Sequence, residues 1–156
     1  MTIRRVRETD RARINEFIAG QWFSLTMVVR GEAVDLGAAE GFYVEEDGGV
    51  TGLVTYRVGG GAMEILSLDS LREGQGTGGA LLEAAVAEAE TRGCARVFLI
   101  TTNDNLNALR FYQKRGFDMA ALYRNALDVS RRMKPSIPLT GCFGIPRGTR
   151  SSWSAC

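Results

Sequence analysis

A cluster of glycines set between a strand-like run and an alanine-rich helix constrains this chain more than any other feature. The run is Met63-Glu64-Ile65-Leu66-Ser67-Leu68, the turn is Glu73-Gly74-Gln75-Gly76-Thr77-Gly78-Gly79, and helical spacing continues to about Thr91. Glycines at such a junction let the backbone approach a ligand and aim several N–H groups at one point. The helix that follows adds its own unpaired N–H groups and the positive end of its dipole. Together they predict an anion cradle suited to a phosphate or pyrophosphate. A plain strand-to-helix connection would not need so many residues that lose so much freedom on folding.

Composition narrows the partners. The chain of 156 residues suits one domain with one core, and 45% hydrophobic with 24% charged residues is what a soluble globular protein shows. Nineteen basic and eighteen acidic residues nearly cancel, so nothing points to nucleic acid or a membrane. Beyond Asp128 there is no acidic residue, while Arg131, Arg132, Lys134, Arg147 and Arg150 lie there, a basic tail read as solvated. Cys94, Cys142 and Cys156 are odd in number and far apart, which argues for a reducing compartment and against a disulfide framework or zinc site. The opening residues lack the apolar core of a signal peptide and no apolar run is long enough to span a membrane, so a cytoplasmic protein is expected. Histidine is absent, which removes the commonest general base and most catalytic metal sites; no metal is expected.

Taken in order, Thr2 to Val6 reads as a first strand, and Thr9 or Asp10 caps a helix that buries Ile14, Phe17 and Ile18 and stops at Gly20. Between Gln21 and Ala39 a short helix, a strand and a substrate-covering loop all remain open. Gly41 to Glu46 and Val50 to Val58 form a hairpin turning at Asp47-Gly48-Gly49, and Gly59-Gly60-Gly61 turns into the strand that holds Glu64. Three strands on short turns must be antiparallel neighbours. The helix after the glycine turn packs through Leu81, Leu82, Ala85, Val86 and Ala89 and ends at Gly93. Arg96 to Thr101 is a buried strand, expected parallel to the Glu64 strand after its crossover. Asn103-Asp104-Asn105 offers the cap of a helix to Arg115, stopped by Gly116; Phe117 to Tyr123 follows as a strand. Arg124 to Lys134 reads as a helix, and the segment with Pro135, Pro138 and Pro146 as mostly irregular.

Read literally, Gly74, Gly76 and Gly79 satisfy the dinucleotide fingerprint, with Asp104 at about the right spacing for its ribose-binding acid. Antiparallel strands before the glycines and the short length argue against it. The lysine of a nucleotide-triphosphatase loop is missing. The segment Asn105-Leu106-Asn107-Ala108-Leu109-Arg110-Phe111-Tyr112-Gln113-Lys114-Arg115-Gly116-Phe117 carries N-x-x-A-x-x-F-Y-x-x-x-G-F. With the glycine turn and the Leu81-Leu82 pair after it, this resembles the GNAT superfamily of N-acetyltransferases, sharply from Glu64 to Phe117 and in element order from Thr2 to Tyr123.

The resemblance implies an α/β fold, with a central mixed, mostly antiparallel sheet between helices, over residues 1–123. Residues 124–156 are then a helix and Pro-rich basic tail of the same domain. It implies acetyl-CoA as co-substrate, its pantetheine arm lying where the Glu64 strand splays from the Phe98 strand. The main chain of Leu66, Ser67 and Leu68 would pair with the arm's amides, and Glu73 to Gly79 (Glu73, Gly74, Gln75, Gly76, Thr77, Gly78, Gly79) would hold the pyrophosphate. The Thr77 hydroxyl would serve as a further donor, Asn105 would bond the arm, and Tyr112 would protonate the departing thiolate. The acceptor is an amine, of a small molecule or a peptide, and an alkyl amine arrives protonated. Without histidine a carboxylate acting through water must take that proton. Glu64 is the first candidate, since burial would make it a stronger base. A Glu merely paired with an arginine is the bland alternative, and Asp69 is the reserve. Trp22 and Phe23 line the acceptor pocket or pack in the core, and Arg110 or Lys114 meets the 3′-phosphate or only solvent. Glu73 departs from the family's Arg or Gln, with Arg72 placed to compensate. The family's last strand has only the poor Gly148 to Cys156 to supply it; either the tail forms it irregularly or a partner subunit of a homodimer covers the edge. A non-catalytic CoA-binding sensor of the same fold is the alternative function, and a dinucleotide-binding protein a more distant one.

Overall fold

The computed structural model describes residues 1–155; Cys156, one of the cysteines noted above, lies outside the described residues. The fold is mixed α/β with a mostly antiparallel sheet, and the chain gathers into two compact units. The first comprises Met1–Met27 with Asp35–Val97, the second Val28–Val34 with Phe98 onward.

In the first unit β1 (Ile3–Arg5), β4 (Glu40–Glu46), β5 (Gly49–Gly59) and β6 (Ala62–Ser70) lie in the order β1-β4-β5-β6, every pair antiparallel. The two hairpin turns carry consecutive positive φ values, Asp47 52° with Gly48 79° and Gly60 58° with Gly61 75°. Such turns match the right-handed twist of the strands they join, which is why Asp-Gly and Gly-Gly appear there. Helix α2 (Thr77–Thr91) packs on β4, β5 and β6 through Leu81, Leu82, Ala85 and Ala89, all buried. Gly52 makes room for its first turn, since a Cβ there would meet Thr77 Cγ2 at 2.8 Å and Leu81 Cδ1 at 3.0 Å.

Helix α1 (Arg11–Trp22) buries Ile14 and Ile18 as expected but passes through Gly20. It stops at Phe23, whose left-handed φ of 57° lets its N–H reach the Ala19 carbonyl at 2.9 Å. One interior glycine costs only about 1 kcal/mol and does not end a helix by itself. The ambiguous stretch after it is a small two-stranded sheet, β2 (Thr26–Val29) and β3 (Glu32–Asp35), turned by Arg30 and Gly31 at positive φ.

The second unit contains most of β7 (Arg96–Thr102), then α3 (Leu106–Gln113), β8 (Asp118–Tyr123), α4 (Ala126–Met133) and β9 (Arg150–Ala155). Strand β9 lies between β7 and β8 and pairs antiparallel with β8 from Asp118↔Ser154 to Tyr123↔Arg150. The tail therefore supplies the last strand itself. Its serines hid it: Ser151 and Ser152 are buried, and Trp153, 3% exposed, donates from its indole N–H to Ser151 Oγ at 2.8 Å. Among the described residues no helix is long and apolar enough to cross a membrane.

Candidate active site

The first set of site residues grows from one irregularity in β6. Thr55 faces Ser67 and Tyr56 faces Ile65, so Leu66 is an extra residue with no partner in β5. A bulge of this kind interrupts the ladder and re-aims the side chains beyond it. Arg57, Thr55 and Leu53 lie on one face of β5, and their cross-strand partners Glu64, Ser67 and Asp69 share that face. Without the bulge Ser67 and Asp69 would point away from Glu64.

The three polar side chains are held differently. Glu64, 3% exposed, accepts from Arg57 Nε at 2.8 Å, so its carboxylate is buried against a cation. The hydroxyls of Ser67 and Thr55 lie 2.5 Å apart. Asp69 is half-buried at the strand end and accepts from Trp22 Nε1 at 2.7 Å, a neutral donor. Burial pushes the Asp69 carboxyl above its ordinary range, against the pull of the indole N–H. Arg57 was within reach of sequence reasoning: a two-residue turn at Gly60-Gly61 sets position 57 opposite 64. The bulge left no signal, and with it the approach of Asp69 to Trp22 stayed hidden.

Past Asp69 the chain enters the glycine turn. Gly74 and Gly76 have φ of 74° and 78°, values that side chains rarely adopt. Gly76 caps α2, and the helical ladder begins with Ala80 N–H to Gly76 carbonyl at 3.0 Å. The N–H groups of Thr77, Gly78 and Gly79 thus have no acceptor within the helix. Thr77, 2% exposed, turns its methyl onto Gly52, so its side chain belongs to the core and its main chain to the cradle. Glu73 is exposed, and Arg72 does not compensate it: Arg72 Nε sits 2.8 Å from Glu46 Oε2 instead. Three spare N–H groups, a helix dipole and backbone without side chains fit a pyrophosphate, and an exposed Glu73 is free to turn to solvent.

The second set lies on α3. Asn105 caps the helix, its Oδ1 accepting from Ala108 N–H at 3.2 Å. Asp104, fully buried, accepts from Cys142 N–H at 2.9 Å and from Arg147 at 3.2–3.3 Å. Asn103 accepts from Gly148 and Thr149 N–H and donates to the Pro146 carbonyl at 2.9 Å. The Asn103-Asp104 pair is thus a clamp on the tail. Burial opposes the Asp104 charge, but Thr102, Cys142 N–H and Arg147 together hold its carboxyl below the ordinary range. Asp104 is therefore occupied and cannot act as the ribose-binding acid of a dinucleotide site. Tyr112, 7% exposed, packs edge-on against Phe111 and Phe117, with ring centroids at 5.1 and 5.5 Å. Arg110 and Lys114 are exposed.

A model of the Acetyltransferase (GNAT) family matches residues 11–117, more than half of the chain. The chain belongs to that family. Like the family at large, this GNAT protein is an acetyltransferase. It is 41% identical over 133 residues to the uncharacterized protein YdhI of Bacillus subtilis (strain 168), covering 85% of this chain and 83% of the relative. Among solved structures it superposes on an IAA acetyltransferase from Bacillus cereus ATCC 14579 with a TM-score of 0.73 at 18% identity, over 98% of this chain and 97% of the other. A GNAT acetyltransferase from Elizabethkingia anophelis, crystallised with acetyl-CoA bound, superposes with a TM-score of 0.67 at 17% identity, over 98% and 95% of the two chains.

Proposed function

We propose that this GNAT acetyltransferase moves the acetyl group of acetyl-CoA to a primary amine by direct attack, with no covalent enzyme intermediate. The observation that carries the reading is the bulge at Leu66 followed within one strand end by the glycine turn. The bulge leaves Leu66 without a partner in β5. In this reading main-chain groups of Leu66, Ser67 and Leu68 that do not face β5 pair with the pantetheine amides, with a main-chain N–H near Leu68 for the carbonyl oxygen as it gains charge. The N–H groups around Gly76 to Gly79 take the diphosphate, and the acetyl-CoA bound to the Elizabethkingia anophelis relative supports that ligand choice.

Asp69, rather than Glu64, is the base in this reading. Glu64 is committed to Arg57, whereas Asp69 is half-exposed, has a neutral partner and a raised pKa. It accepts the ammonium proton through water, the free amine attacks the thioester carbonyl, and the C–S bond breaks as Tyr112 gives its phenolic proton to the sulfur. The second proton, shed by the acylated nitrogen as the amide forms, returns through water to the Tyr112 phenolate. Asn105 Nδ2 remains to donate to the arm once Oδ1 has capped α3.

Release of free thiol from acetyl-CoA, followed across a panel of amines with mass analysis of the acetylated product, tests the function. The expected result is thiol release that depends on the amine and matches the amide formed. A thermal shift with NADH and none with acetyl-CoA would restore the dinucleotide alternative and remove this one.

A further inference from the structure

Three large apolar side chains stand in solvent, one hydrogen-bonded to Asp69 and two close in the chain to Asp69 or to that partner. Trp22, 37% exposed, is the residue whose indole binds its carboxylate. Phe23, the next residue, is 93% exposed, and Leu71, two residues beyond Asp69, is 54% exposed. Phe23 is also the residue that ends α1 in the left-handed region, at φ 57°. A bulky side chain in that region is an outlier, because Gly or Asn makes the same helix stop without the steric cost. Here the chain carries both that cost and an almost fully solvated phenyl ring, at a position where glycine would relieve each. Backbone strain of this kind gathers at ligand-binding places. The exposed side chains are not merely apolar, since Trp22 is bonded to a half-buried carboxylate through a neutral N–H.

From this arrangement we infer that the acceptor is a primary amine carrying an apolar, preferably aromatic, substituent, its ammonium directed at Asp69 and its substituent laid on Trp22, Phe23 and Leu71. The inference rests on the acetyl-transfer reading above. A carboxylate bonded to an exposed indole, with exposed apolar side chains close along the chain, suits a ligand with one cationic end and one greasy end; a polyamine or a hydroxyl-bearing amine would leave those side chains uncovered. Trp22 offers a π face to the cation as well as its N–H to the acid.

The test compares kcat/KM for ethanolamine, butylamine and phenethylamine, which share a primary amino group and differ in apolar area. Wild type should prefer phenethylamine to ethanolamine by about tenfold or more, mostly through KM, as one or two buried methylene equivalents require. Phe23→Gly suits the left-handed position, so it should melt no lower than wild type, and its preference should collapse toward parity. A flat or reversed series in wild type, or a preference untouched by Phe23→Gly, overturns the inference. So does sedimentation showing that Trp22, Phe23 and Leu71 are covered in a dimer that Phe23→Gly dissolves. Acetylation of ethanolamine alone would sink this inference while the transferase reading stood; no thiol release with any amine, and no thermal shift with acetyl-CoA, would instead count against the reading beneath it.

Discussion

Two carboxylates share one face of β6, and their neighbours give them different work. The Glu64 carboxylate is held in an ion pair with Arg57; Asp69 meets an indole, which stabilises its anion far less than a cation would. Asp69→Asn should therefore lower kcat/KM by about a hundredfold or more, the usual contribution of a general base, and Glu64→Gln by much less. The Trp22 N–H lowers the Asp69 pKa, so Trp22→Phe should raise it further and move the acidic limb of the kcat/KM profile to higher pH. A limb that stays put or moves down would remove Asp69 from the role. Tyr112→Phe should cost about a hundredfold in kcat while acetyl-CoA still raises the melting temperature as in wild type. A sensor of the same fold would have no turnover to lose. Little of this was legible beforehand: the residue types were visible, but their partners depend on a bulge that the residues around Leu66 do not advertise.

At the level of elements, the glycine turn and the two hairpins could be read directly, because positive φ restricts the residues that fit. Gly76→Ala places a side chain at φ 78°, where it costs about 1–2 kcal/mol, and sets a methyl group at the mouth of the cradle. KM for acetyl-CoA should rise several-fold with kcat little changed; an unchanged KM would mean that the turn does not touch the cofactor. Other elements resisted reading because tertiary contacts define them. Strand β9 is built from serines and one tryptophan, with too little apolar alternation to reveal itself, and it stands because β8 supplies a ladder and Trp153 a buried anchor. Helix α1 runs past Gly20, the stop its sequence suggests, because the actual stop is a phenylalanine in a conformation that no sequence rule assigns to it. Asp104 looked like a ribose ligand by spacing alone, and only the returning tail, through Arg147 and Cys142, shows what it binds.

At the scale of the whole molecule, an ion-pair network ties the edge strand β1 to the helix behind the glycine turn. Glu88 on α2 lies 2.7 Å from Arg5 and 2.8 Å from Arg92, and Arg92 also holds Glu40 of β4. Hydrogen bonds from Arg5 and then Arg92 pull the Glu88 carboxyl down to about 2 from the ordinary 4.5. A depressed pKa stabilises the folded state above the unfolded value and loses that contribution as pH falls through the folded one. Urea midpoints should accordingly decline between pH about 4.5 and about 2, and Glu88→Gln should flatten that part of the profile. An identical decline in the variant would assign the acid sensitivity elsewhere. The ligand that occupies the glycine turn decides the function, and amide chemical shifts read its position directly. Titrating coenzyme A into isotope-labelled protein should move the Gly74 to Gly79 N–H resonances most, together with Leu66 to Leu68. Saturating coenzyme A that leaves those amides where they were, or shifts residues elsewhere instead, would contradict it.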